Sequence, residues 1–198
     1  MSMFRQKVSD EQQKRIPPGQ YFTEKWPVLH YGSVPTVDRA KWDLRVFGEV
    51  ETPFSFDWAE YERMPRTKLH TDIHCVTRWS RLDMDFEGVH IRHLLERAKP
   101  TADARFVIAH AEQGYTTNMP IEVLDDDDVM LADIADDEPL TREHGYPLRL
   151  VVPKRYFWKS AKWIRALEFR SDDQLGFWER YGYHNDADPW TEQRFSDD

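Results

Sequence analysis

The segment LRLVVP, residues 148–153, limits the fold of this chain more than any other stretch of its sequence. It is an apolar run bounded by proline, which predicts a strand buried inside the protein. Residues 162–169, KWIRALEF, repeat a β-like pattern, and residues 42–50, WDLRVFGEV, alternate apolar and polar positions as a half-buried strand does. The chain is therefore built around strands, with less helix than strand.

Two further strands and two short helices complete the predicted elements. Residues 67–75 and 104–110 have the composition of strands. Residues 57–64 begin with an aspartate that can cap a helix, and residues 88–100 place apolar residues at near-helical spacing before a proline. The 198 residues are 40% hydrophobic and 14% aromatic, enough for one domain with a substantial core. We expect an α+β fold, a single mixed, strand-rich domain.

Charge and hydropathy exclude several classes of protein. The 27 Lys and Arg against 36 Asp and Glu give a net charge of −9, and no basic stripe interrupts this balance, so no nucleic-acid partner is expected. No apolar run approaches the roughly 18 residues of a membrane span, and the polar start lacks the apolar core of a signal peptide. We therefore expect a cytoplasmic protein that does not span a membrane. Residues 1–20 are expected to be extended or mobile, and residues 21–198 to form the domain.

Cys75 is the one cysteine of the sequence, so it forms neither an internal disulfide nor a Cys-rich zinc site. It lies at the predicted end of a strand, between His74 and the nearby Arg78. A neighbouring cation favours the thiolate, which is the form that binds soft metals or attacks electrophiles. Three interpretations stay open from the spacing alone: a metal ligand, the nucleophile of a cysteine hydrolase, and a buried inert thiol.

Several polar segments surround these strands. Four cations lie within nine residues: Lys154, Arg155, Lys159 and Lys162. Together with serine they suit a phosphate or another oxyanion, although a solvated hairpin would have a similar composition. Residues 112–120, EQGYTTNMP, and residues 30–35, HYGSVP, are interpreted as hydrogen-bonding loops. The four aspartates at 125–128 lack the ligand spacing of a calcium loop and indicate a solvated turn.

Three motifs in a fixed order, HCVTRWS around Cys75, GYTTNMP, and HGYPLRLVVP followed by WKSAKW, resemble the sulfite oxidase superfamily of molybdopterin-dependent oxidoreductases. The resemblance covers residues 17–189 and is strongest to the small single-domain members. It implies the sulfite oxidase molybdopterin-binding fold. It also implies that the Cys75 thiolate is the protein ligand of molybdenum or tungsten, whose other sulfur ligands come from the dithiolene of the pterin.

The resemblance assigns roles to further residues. Arg78 is expected to draw an anionic substrate toward the metal, and Tyr115 to line the substrate pocket. With Cys75, these two form the predicted catalytic set. The residues expected to contact the cofactor besides Cys75 are His30, Tyr31, His110, His144, Arg149 and, around its phosphate, Ser160, Ala161 and Lys162.

The resemblance further implies a two-electron oxygen-atom transfer on a small substrate, sulfite-like or sulfoxide-like. Electrons would be exchanged with a separate carrier, such as a cytochrome or a membrane subunit, because the sequence offers no cysteines for an iron–sulfur cluster and no paired haem ligands. The alternative is a non-catalytic module that binds molybdopterin.

Overall fold

Strands dominate residues 8–197, the part of the chain that the computed structural model describes. In chain order the strands are β1 (Tyr21–Phe22), β2 (Asp43–Gly48), β3 (Phe54–Asp57), β4 (Thr67–His74), β5 (Trp79–His90), β6 (Phe106–Ala111), β7 (Thr116–Pro120), β8 (Met130–Ala135), β9 (Glu138–Pro139), β10 (Arg149–Val151) and β11 (Ile164–Arg170). The α-helices are α1 (Asp10–Lys14), α2 (Trp58–Glu62), α3 (Arg92–Ala98), α4 (Ile121–Leu124) and α5 (Phe177–Arg180). The mixed, strand-rich class predicted from the sequence is confirmed.

The strands form two sheets. The first sheet has the order β1-β5-β8-β10, with β4 also paired to β5 and β9 to β8. The second has the order β3-β2-β11-β6-β7. Most pairs are antiparallel, while β1 with β5 and β2 with β11 are parallel.

The main hydrophobic core lies between the two sheets. It joins Leu131 and Leu150 of the first sheet to Leu44 and Leu167 of the second, all with no exposed surface. Because successive residues of a strand point to opposite faces, Met130 belongs instead to a second cluster on the other face of the first sheet. The short apolar run around β10 is thus buried, as the sequence predicted.

Local signals account for several element boundaries. Leu44 and Val46 are fully buried on β2 while Arg45 between them is exposed, which is the predicted alternation. The Asp57 carboxylate accepts a hydrogen bond from the Glu60 amide at 2.8 Å and caps α2. The predicted strands at β4, β6 and β11 are also confirmed.

Two expectations were wrong. The helix predicted over residues 88–100 begins only at α3, because Val89 pairs with Leu131 and extends β5 to twelve residues. Gly88 allows this pairing, since an added Cβ would lie 1.9 Å from the Leu131 carbonyl oxygen. Residues 116–120, expected to be a loop, form β7 against β6.

The described part of the N-terminal segment contains a short helix and contacts the domain, and the division of the chain at residue 20 stays a prediction. Ser9 and Gln12 form a reciprocal capping box that starts α1. The Arg15 Nε then donates to the Asp72 carboxylate at 2.9 Å, and Ile16 is buried. Residues 1–7 lie outside the described residues. In residues 8–197, no helix combines the length and the apolar character needed to cross a bilayer.

Candidate active site

A cavity of about 390 Å³ opens beside Cys75, at the end of β4. Of the eleven residues assigned to the site from the sequence, nine line it and two, Arg78 and His110, do not. The nine are Cys75, Tyr115, His30, Tyr31, His144, Arg149, Ser160, Ala161 and Lys162. Folding therefore brings into one cavity residues that span more than 130 positions of the chain.

A tight turn presents Cys75 to the cavity. The Arg78 amide donates to the Cys75 carbonyl at 2.9 Å, and the Cys75 amide donates to the Trp79 carbonyl at 2.9 Å. The Thr77 hydroxyl lies 3.2 Å from the Cys75 Sγ and donates to it. Burial raises the pKa of the Cys75 thiol, so the thiol needs a positive partner to become the thiolate that a metal binds.

Arg149, on β10, forms the floor of the cavity and is buried. Its guanidinium donates to the carbonyl oxygens of His144 and Ser160, both at 2.9 Å, and stacks on Phe157 with its Cζ 4.2 Å from the ring centre. Burial lowers the pKa of Arg149 to about 9, which leaves the group charged at neutral pH. No carboxylate of the described residues comes within ion-pair distance of it, so its charge is uncompensated.

Lys162 adds a second cation to the same floor. Its Nζ donates to the carbonyl oxygens of Leu29 at 2.6 Å and Glu143 at 2.7 Å. Burial, followed by the charge of Arg149, lowers the pKa of Lys162 to about 7. Gly145 makes the close packing possible, because a Cβ there would lie 3.1 Å from that of Arg149 and 3.3 Å from that of Lys162.

Ser160 and Ala161 shape this floor through the backbone. The Ser160 hydroxyl accepts from the Val152 amide at 2.8 Å, and the Ala161 carbonyl accepts from the Leu150 amide at 2.9 Å. These bonds fix the loop after β10 against the strand. The loop therefore places Lys162 beside Arg149, where the two charges converge on the space that an anion would fill.

His144 forms one side of the cavity, stacked on Trp26 with ring centres 4.0 Å apart. Burial, with the charge of Arg149, lowers the pKa of His144 to about 4, so its ring is neutral at physiological pH. His30 and Tyr31 lie on the segment that continues from Trp26. Tyr31 is 65% exposed, which places it at the mouth.

Aromatic side chains that the sequence reasoning missed form the remaining wall. Tyr115 donates to the Trp158 carbonyl at 2.7 Å, and burial raises its pKa well above the usual range, so it stays neutral. The missed lining residues include Trp26, Phe157, Trp158, Phe177, Trp178 and Tyr183. The density of aromatics from residue 177 onward was the available signal, and this segment packs on the domain.

Two of the assigned residues, Arg78 and His110, lie outside the cavity lining. Arg78 is exposed, with a positive φ of 76° and its Nη1 3.5 Å from the Gly19 carbonyl oxygen. His110 lies on β6 and pairs with Glu168 at 2.8 Å, outside the cavity lining.

The chemistry of these donors defines what the cavity fits. In residues 8–197, no three His, Cys, Asp or Glu side chains converge to hold a metal ion. A metal at Cys75 would therefore take ligands from a bound group, and the resemblance implies the dithiolene sulfurs of a pterin. Two uncompensated cations and a thiol in one cavity fit a metal complex that also bears a phosphate.

Comparisons with known proteins agree with this chemistry. Residues 31–178 match the model of the oxidoreductase molybdopterin binding domain. Over 187 residues the chain is 46% identical to the uncharacterized oxidoreductase YuiH of Bacillus subtilis, covering 94% of each chain. It is 28% identical to the protein-methionine-sulfoxide reductase catalytic subunit MsrP of Campylobacter jejuni, over 75% of this chain and 57% of that protein. The crystal structure of the sulfane dehydrogenase SoxCD from Paracoccus pantotrophus superposes with a TM-score of 0.68 at 26% identity, over 77% of this chain and 43% of that chain.

Proposed function

The chain belongs to the oxidoreductase molybdopterin-binding domain family, and from this premise we propose that it transfers an oxygen atom to or from a small, neutral, sulfoxide-like compound. Its relatives and its fold make it a molybdopterin-dependent oxidoreductase of the sulfite oxidase type. The oxygen-atom transfer and the class of its substrate are the proposed parts. Molybdenum is the proposed metal, with tungsten as the alternative.

One observation carries the proposal: the Cys75 thiol shares a cavity with two cations, Arg149 and Lys162, that no carboxylate of the described chain neutralises. Cys75 would hold the metal, and Arg149 with Lys162 would hold the phosphate of the pterin. When bound, the cofactor supplies the two-electron oxygen-atom transfer. The protein holds and orients it, and the aromatic walls exclude water from the reacting atoms.

The cations already assigned to the cofactor leave no free positive charge in the cavity for a substrate, which favours a neutral compound over sulfite. Both cations of the floor are assigned to the cofactor, and Arg78 lies outside the cavity. Glu112 lines the cavity instead, and its ion pair with Arg165 at 2.8 Å adds no positive charge that would attract an anion. The aromatic side chains at the mouth suit an apolar substituent. The name of the Campylobacter relative, a methionine-sulfoxide reductase, supports the same class.

We propose a separate electron carrier, such as a cytochrome or a membrane subunit. The Campylobacter relative is named as a catalytic subunit, which supports a division of labour of this kind. The cytoplasmic location expected from the sequence stays a prediction. Fractionation of cells that produce the native protein, beside a cytoplasmic marker enzyme, tests it.

The first experiment measures metal and pterin in protein purified from a host that makes molybdopterin. We expect nearly one molybdenum and one pterin per chain in the wild type, loss of turnover in Cys75→Ala, and loss of pterin in Lys162→Met. Lys68→Met is the matched control, because Lys68 is an exposed cation that pairs with Asp137 at 3.3 Å on the first sheet. Folded wild-type protein that repeatedly lacks both metal and pterin would overturn the assignment.

The second experiment compares the two substrates on one enzyme preparation, with a reduced dye as electron donor for the sulfoxide and an oxidised dye as electron acceptor for sulfite. We expect a higher kcat/KM for an alkyl aryl sulfoxide than for sulfite. Preferred oxidation of sulfite would overturn the sulfoxide assignment and leave the enzyme class intact. Bound cofactor with no turnover of either class would favour the non-catalytic module.

A further inference from the structure

Two polar side chains from opposite ends of the described chain, Gln20 and Arg194, meet behind the turn that carries Cys75. Both residues lie outside residues 31–178, the segment that the family model matches. The contacts of the cysteine turn with these two residues are therefore a feature of this chain beyond the matched domain.

Gln20 bonds to both ends of the turn. Its Nε2 lies 3.0 Å from the carbonyl oxygens of Cys75 and Trp79 and donates to both. Its Oε1 accepts from the Arg194 Nη2 at 2.9 Å. The next residue of the chain, Tyr21, pairs in parallel with Trp79, so β1 holds Gln20 in register with the turn.

Arg194 contacts the same turn from the C-terminal part of the chain. It is 3% exposed, and its Nη1 donates to the Val76 carbonyl at 2.8 Å. Its Cζ lies 4.8 Å from the centre of the Tyr156 ring, which fixes the plane of the guanidinium. Together, Gln20 and Arg194 occupy the carbonyl oxygens of three residues of the turn: Cys75, Val76 and Trp79.

The position of Arg194 also puts a buried positive charge behind the cysteine. Glu192 lies 3.6 Å from the Arg194 guanidinium and is 46% exposed.

We propose that Arg194, acting with Gln20, is a positioning residue that fixes the direction of the Cys75 sulfur and tunes the metal bound to it. This inference rests on the proposed function, in which Cys75 is the metal ligand. The pair acts in two separable ways. The hydrogen bonds hold the turn, and the guanidinium places a positive charge behind the metal ligand.

Three variants of the holoenzyme separate these effects. Arg194→Met removes the bonds and the charge, whereas Arg194→Lys keeps the charge but loses the planar set of donors. Gln20→Ala removes the bonds to the Cys75 and Trp79 carbonyls and leaves Arg194 on Val76. Arg155→Met is the matched control, because Arg155 pairs with Asp186 at 3.2 Å and holds the same C-terminal segment without contacting the turn.

Three readouts are measured besides activity. The amides of Cys75 and Arg78 should exchange hydrogen about tenfold faster in Arg194→Met and Gln20→Ala, since a bond that closes the turn is lost. The electron paramagnetic resonance g-values of the half-reduced metal should shift in Arg194→Met, Arg194→Lys and Gln20→Ala. The reduction potential should fall in Arg194→Met and stay near the wild-type value in Arg194→Lys. Arg155→Met should match the wild type in all three.

A lower melting temperature in Arg194→Met, with unchanged amide exchange and unchanged g-values, would show a purely structural residue and overturn the proposal. If Arg194→Met does not fold, Arg194→Lys and Gln20→Ala decide by the same readouts. Wild-type protein without metal would instead contradict the proposed function, and the exchange of the turn amides would still show whether the pair holds the turn.

Discussion

Lys159 and Lys162 lie three residues apart in one loop, and the structure treats their charges in opposite ways. The Lys159 Nζ is 2.6 Å from the Glu179 carboxylate and 2.7 Å from the Asn118 carbonyl oxygen, and both charged groups are buried. Glu179 also accepts from the Thr117 hydroxyl at 3.0 Å. The two charges of this pair compensate each other within the protein, and the pair joins α5 to the back of the cavity wall.

In the described residues, Lys162 donates hydrogen bonds only to carbonyl oxygens, as Arg149 beside it does. Carbonyl dipoles hold a cation in place without neutralising it. The comparison teaches that burial of a cation does not by itself indicate an anion site. A buried cation whose counterion is internal is structural, and a buried cation without one is available to an external anion.

The largest effect should come from breaking the internal pair. Lys159→Met leaves the Glu179 carboxylate buried and unpaired, which should lower the free energy of unfolding by about 3–5 kcal/mol. Denaturant unfolding of cofactor-free protein measures this. Lys154→Met is the control, because Lys154 forms an exposed pair with Asp126 and should lose only about 1 kcal/mol or less.

A double variant sharpens the same test. Lys159→Met with Glu179→Gln removes both charges, so it should recover about 2 kcal/mol relative to Lys159→Met alone. If Lys159→Met costs no more than Lys154→Met, the pair is not the structural element described here.

The second prediction concerns the open cation. Lys162→Met should change the free energy of unfolding of the cofactor-free protein by about 1 kcal/mol or less, because two carbonyls lose a donor but a buried charge disappears. The same variant should retain at most about one tenth of the wild-type pterin, since a charge-assisted phosphate contact contributes about 1.4 kcal/mol or more. Pterin content is measured by fluorescence after release from equal amounts of folded protein.

If the variants of the two lysines gave the opposite results, this comparison would be contradicted. If Lys162→Met unfolds the protein as readily as Lys159→Met and keeps its pterin, Lys162 is structural and the anion lies elsewhere.

The third prediction uses the pKa of Lys162, which the fold lowers from 10.5 to about 7. Between these values the unfolded chain keeps a proton that the folded chain has released. The free energy of unfolding of the cofactor-free protein should therefore rise with pH from about 7 to 9, and Lys162→Met should lack this contribution. Paired denaturant titrations of the two proteins at several pH values measure the difference. A contribution that falls with pH, or none, would show that Lys162 is not buried as a free cation.

Much of the fold could be predicted because the signals are local. The alternation of Leu44 and Val46 and the cap at Asp57 depend on neighbours within four residues. The strand β5 has the same signal, with Leu82, Met84 and Phe86 buried on one face. It was nevertheless not among the strands predicted from the sequence.

The candidate site shows the same difference between local signals and contacts that form only on folding. Motif order indicated nine lining residues, but neighbours in sequence do not reveal which cation has a counterion. Lys159 and Lys162 belong to one basic cluster in the sequence, and Glu179, which separates their roles, lies twenty residues beyond Lys159 and meets it only after folding. The backbone of Arg78 adopts a left-handed conformation that its segment did not predict.

The smallest effect is expected at Arg78, the cation nearest to Cys75 in sequence and yet outside its cavity. An exposed charge that faces solvent is screened and contributes little to binding inside a pocket. Arg78→Gln should therefore change KM for a sulfoxide and for sulfite by about twofold or less, which corresponds to roughly 0.4 kcal/mol. Steady-state kinetics on protein with matched molybdenum content measures this. An increase of about tenfold in KM for sulfite alone would mean that an anionic substrate passes Arg78 on its way to the metal, and the available positive charge would then extend beyond the cavity floor.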